Sequence, residues 1–179
     1  MAKVGITELK KHLNSLDQKM LEKEIIELFK TFPQIKEYYT FKLSPDQEVE
    51  ILNKYKNIIE REFDGIKAVN NLRFAVLKKA VSDFEKVSKD PAYLAELFLC
   101  YVDCAMNYTI VSGGMNETLF NNIIKRFDKA CRLINENNLE SDFYEPLQKV
   151  LEKRKNIGWG MDLEILEIYY EYMDDDHFR

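Results

Sequence analysis

Histidine, cysteine and tryptophan are scarce in this chain, at two, three and one among 179 residues, and six glycines and four prolines are few for that length. Each shortage excludes something. With only His12 and His177, near opposite ends, the sequence cannot supply the two Glu-x-x-His segments of a ferritin-like metal bundle. Three cysteines, an odd number, provide no disulfide framework. Cys100 and Cys104 lie one helical turn apart, where regular geometry disfavours a bridge, so a reducing compartment is expected. Sparse Gly and Pro set between long periodic stretches are the punctuation of an all-helical protein, and strand-like alternation is hard to find.

Chemical signatures are missing too. No G-x-S-x-G elbow, Walker phosphate loop, HExxH or CxxC pair occurs. No catalytic residue, metal site or cofactor is therefore predicted, and the expectation leans away from an enzyme. A formal net charge of −5 argues against a general polyanion binder, because phosphate affinity rests on clustered Lys and Arg; nucleic acid is not an expected partner. The opening MAKVGITELKKHLNSL has no apolar core of signal-peptide type, which suggests a cytoplasmic protein with no membrane association.

What is present is helical periodicity. With 46% hydrophobic and 32% charged residues, the chain reads as one all-α domain over 1–179, of eight or nine helices. Short helices are predicted over 1–43, three helical hairpins over 44–173 and an acidic tail over 174–179. The segment DPAYLAELFLCYVDCAMNYTIVSGG, Asp90 to Gly114, is the most apolar stretch, with Asp90 and Pro91 suited to start a helix and Gly113-Gly114 to stop it. It is long enough to span a bilayer, but Glu96, Asp103 and Asn107 make that costly, and a buried soluble helix is the better reading. Ser44-Pro45-Asp46-Gln47 predicts another helix start, and a helix is expected over about 66–88. Pro45 and Pro91 are 46 residues apart, and Gly65, Gly113 and Gly158 follow at intervals of 48 and 45, a period typical of helix-pair repeats. Two architectures fit this pattern: stacked helical hairpins in a HEAT/TPR-like solenoid, or an irregular closed bundle.

Four places could carry function. Glu96, Cys100, Asp103 and Asn107 fall on one stripe of the apolar helix, where carboxylates, a thiol and an amide could line a pocket or bind a metal; a solvent-facing edge is the simpler explanation. In the C-terminal segment, Trp159, Glu164, Glu167, Tyr169, Glu171 and Tyr172 combine acidic and aromatic groups, as interaction surfaces do, although aromatic stripes usually pack inside. Lys78, Lys79, Lys86 and Lys89 make one helix face basic, which ordinarily only solvates it. Asp174 and His177 could meet an ion, but a solvated tail is the better reading.

The segments LKKHLNSLDQKMLEKEIIELFKTFPQIKEYYTFKL and GWGMDLEILEIYYEYM resemble a family of small bacterial all-helical proteins that carries only a domain-of-unknown-function label. The first also looks like helical segments that accompany some SWIM zinc-finger proteins, whose Cys and His pattern is absent here. The resemblance implies a bacterial, cytosolic helical protein. The leading expectation is an interaction or scaffold module that binds a protein partner or a second copy of itself. The alternative is a ligand- or metal-binding protein, or an enzyme, with a site between helices around Glu96, Cys100 and Asp103.

Overall fold

The computed structural model describes residues 4–44, 47–66 and 68–173. Among them are nine α-helices and no strand: α1 (Ile6–Asn14), α2 (Gln18–Thr31), α3 (Pro33–Leu43), α4 (Glu48–Phe63), α5 (Phe74–Val87), α6 (Pro91–Ser112), α7 (Glu117–Glu136), α8 (Glu140–Lys153) and α9 (Met161–Tyr172). The all-α expectation holds. The predicted start at Pro45 and Asp46, the acidic tail from Asp174 and the Asp174–His177 pair lie outside the described residues.

Local chemistry explains most boundaries. Asp90 accepts hydrogen bonds from the backbone of Ala92 and Tyr93 at the head of α6, and Pro91 occupies the first turn, where its missing N–H has no consequence. Gly113 ends the same helix with φ +68°, a left-handed conformation that glycine adopts without steric penalty. Asn116 caps α7, its side-chain oxygen accepting the backbone N–H of Leu119.

One helix is shorter than its periodicity predicts. Instead of running from about residue 66, the chain makes a short 3-10 turn over Val69–Asn71, and α5 begins at Phe74. Tertiary anchoring overrides the pattern. The Glu62 carboxylate accepts the backbone N–H of Arg73 at 2.8 Å and takes two further donors from its guanidinium, fixing the connection in a non-helical path.

The core is centred on α6, which buries Ala95, Leu97, Phe98, Leu99, Tyr101, Val102, Ala105, Met106, Tyr108 and Thr109. By length and composition alone α6 could cross a membrane, but this burial is also what the core helix of a soluble protein shows. Around it, Phe84 of α5 meets Phe41 of α3 and Tyr55 of α4, with ring centroids 5.8 and 5.4 Å apart. The substantial contacts follow chain order: α2 with α3, α3 with α5, α4 with α5 and α6, α6 with α7 and α8, and α7 with α9. α8 and α9 are coupled through the 3-10 turn Arg154–Asn156 between them.

Candidate functional site

The polar stripe of α6 lies in a groove walled by α4 and α8. Glu96 on its floor is paired with Lys56 of α4 at 2.7 Å, and Asp103 is paired with Lys153 of α8. Asn107 donates to Asp103 Oδ2 at 3.0 Å, while the Cys100 thiol lies 3.9 Å from Glu60 Oε1. Glu96, Cys100 and Asp103 are half-buried, and Asn107 is exposed. The stripe is thus an inter-helix groove wetted at one end, with ion pairs tying its floor to both walls.

Two adjoining cavities occupy this groove. One, of about 610 Å³, lies towards the end of α6 and includes Phe63, Tyr108 and Val111; the other, of about 550 Å³, is lined by Lys56, Glu96, Asp142 and Phe143, among others. Glu60 and Cys104 border both. Cys104 is half-buried at this border, whereas Cys131 is fully buried. Hydrogen bonding with Cys104 and burial push the Cys100 thiol up, so it rests as a protonated thiol rather than a nucleophilic thiolate. Among the described residues, no three His, Cys, Asp or Glu side chains gather as a metal-ligand set.

The C-terminal segment divides its residues between two sides. Met161, Ile165 and Ile168 of α9 are buried, and Tyr169 and Tyr172 are half-buried against the core. The Tyr172 hydroxyl donates to Asp128 of α7 at 3.0 Å, which holds α9 onto its neighbour. Glu164, Glu167 and Glu171 face solvent. Trp159 is 61% exposed in a left-handed backbone conformation between Gly158 and Gly160, whose φ angles are also positive. Leu163 and Tyr170 are the exposed apolar residues of α9 itself. Their exposure was hidden in a segment whose apolar arc exceeds half the helix, because periodicity cannot say which part of a wide arc is covered.

A second exposed apolar surface lies on α1 and α2. α1 and α2 bury no side chain, although both are amphipathic and Ile6, Leu9, Met20, Ile25, Ile26 and Leu28 stand exposed. His12 Nε2 lies 3.3 Å from Glu24, linking the two helices, and the ring of Phe29 meets Tyr39 of α3 at 6.1 Å. The periodicity of this hairpin was plain in the sequence, but what it packs against was not.

Residues 3–173 match the model of a family of unknown function, DUF6155, and the chain belongs to that family. The curated proteins and the solved structures gave no match.

Proposed function

We propose that this protein is an interaction module of stacked helical hairpins, and that the α1–α2 hairpin is its docking element for a second copy of the chain. The observation that carries this reading is that α1 and α2 bury none of their side chains. Isolated helices shorter than about 12–15 residues are marginal in water, and these span 9 and 14 residues with an uncovered apolar stripe. Pairing two such hairpins about a two-fold axis completes a four-helix bundle. Charge favours a like partner: from Ile6 to Thr31 five lysines balance five acidic residues, so two copies meet without net repulsion. Trp159, Leu163 and Tyr170 provide a second, smaller apolar patch for a protein partner at the opposite end of the chain. Three free cysteines support a reducing, cytosolic setting.

Light scattering coupled to size exclusion tests the proposal. The expected mass is twice the 21.2 kDa of the single chain. An Ile25→Glu/Leu28→Glu variant, altered at two exposed positions, should run as a monomer with unchanged helicity. A wild-type monomer across the full concentration series, or a dimer that the variant leaves intact, overturns it.

The adjoining cavities along α6, one between α4 and α8 and the other against the end of α4, favour a second reading, a small-ligand site in the groove of Glu96, Cys100 and Asp103. Its lining mixes apolar side chains with charged ones, and Glu96 and Asp103 are already held in ion pairs by Lys56 and Lys153, which suits an organic ligand better than a bare metal ion. Metal analysis with and without Glu96→Ala separates the two: a stoichiometric metal lost in the variant would reverse that preference.

A further inference from the structure

Arg126 of α7 is 7% exposed, yet among the described residues no carboxylate pairs with it. Its guanidinium carbon sits 4.3 Å from the centroid of the Tyr101 ring, stacked on the central helix. Nη1 donates to Asn122 Oδ1 at 2.7 Å, but Nε has no hydrogen-bond partner. A buried cation with an unused donor is costly unless something compensates it. Tyr101 supplies part of the compensation through its ring face. Burial still pulls the guanidinium down from its ordinary value, with Tyr101 and Glu85 opposing.

The space beside it is shaped for a counter-charge. A cavity of about 350 Å³ lies between α5 and α7, over Phe98 of α6. Lys78, Ser82 and Glu85 reach it from successive turns of α5, and Asn122, Lys125, Arg126 and Lys129 from successive turns of α7. Glu85 is engaged by Lys129 at 2.5 Å, and Lys78 and Lys125 have no ion-pair partner among the described residues. Four cations and one carboxylate therefore line a single cleft in a chain whose formal charge is −5. The other lysines of the basic face of α5 are used differently: Lys79 and Lys86 both pair with Asp83.

We propose that this cleft is a binding site for a small phosphate-bearing ligand, with Arg126 as the buried anchor and Lys78 and Lys125 at the rim. The excess of positive charge suits a dianion better than a single carboxylate, and a planar guanidinium matches phosphate oxygens. The cavity holds a phosphate group with a small organic remainder. A nucleic-acid backbone fits less well, because it needs a basic track and this cleft is an isolated basic spot on an acidic protein.

The test is calorimetric titration of the intact protein with inorganic phosphate and with pyrophosphate, against sodium chloride at matched ionic strength. Saturable binding of either phosphate is expected, with acetate much weaker. Since Arg126 is buried, Arg126→Gln is accompanied by Lys78→Gln/Lys125→Gln, which changes only exposed side chains. The double variant should keep the wild-type circular dichroism and unfolding midpoint and weaken phosphate binding roughly tenfold. No response beyond the chloride control, an affinity unchanged in the double variant, or retention of an oligonucleotide without phosphate binding overturns the proposal.

Discussion

Three donors of Arg73 converge on the Glu62 carboxylate: Oε1 accepts the backbone N–H at 2.8 Å, Nε is shared between Oε1 at 3.0 Å and Oε2 at 3.1 Å, and Oε2 accepts Nη2 at 2.8 Å. The carboxylate is almost fully enclosed, with a side-chain exposure of 2%, while the arginine side chain lies largely in water. The pair sets where α5 begins. Glu62→Ala should lower the thermal midpoint by a few degrees. Arg73→Lys should recover only part of the wild-type value, because an ammonium keeps the charge and loses the fork. Thermal unfolding followed by circular dichroism reads both; equal midpoints for Arg73→Lys and wild type would show that the fork geometry contributes nothing.

The two ends of α6 should respond independently. Asp90→Ala removes the acceptor for two backbone N–H groups and should cost about 1 kcal/mol. Gly113→Ala meets no steric neighbour, but its φ of +68° carries a penalty of about 1–2 kcal/mol for a residue with a Cβ. Urea denaturation measures each, and the double variant should show the sum, since the sites are far apart.

Alkali should weaken the fold through Tyr101. Burial pushes its hydroxyl up to about 12, while the nearby Arg126 opposes the shift. In the unfolded chain the same group ionises near its ordinary value of about 10. Between those values the native state retains a proton that the unfolded state has lost, so stability is fully present below about pH 10 and falls as pH rises towards 12. Tyr101→Phe should flatten part of this alkaline loss in urea midpoints measured across that window. An unchanged slope in the variant would show that other groups govern it.

Thiol labelling should divide the three cysteines. Cys131 is fully buried, and burial pushes its thiol up, so it should react only when the protein unfolds. Labelling followed by peptide mass spectrometry should find Cys100 and Cys104 modified slowly in the native protein and Cys131 only in urea. Rapid native modification of Cys131 would indicate local opening of α7.

The ends of α6 were legible because capping is local: Asp90-Pro91 and Gly113 act within one turn of where they sit. The start of α5 was not, because the determining contact comes from Glu62, in another helix. The same distinction governs the sites. The stripe of Glu96, Cys100, Asp103 and Asn107 was visible as helical spacing, but its walls of Lys56, Glu60 and Lys153 come from residues about 40 to 50 positions away. Lys78 was read as part of a basic face; that it opposes Lys125 and Arg126 depends on how α5 and α7 lie over α6. A charged residue within the apolar periodicity of α7 was the available signal for Arg126.

Contacts that run in chain order also have a kinetic meaning. Helices that meet only the next one or two along the chain close comparatively short loops, and such chains fold quickly. The α6–α7 pair has the most extensive mutual packing and is the natural nucleus, from which order spreads in both directions. Unfolding should run the other way. In the Ile25→Glu/Leu28→Glu monomer, amide exchange is expected to be fastest in α1 and α2, and slowest in α6, where opening requires neighbours on both sides to separate.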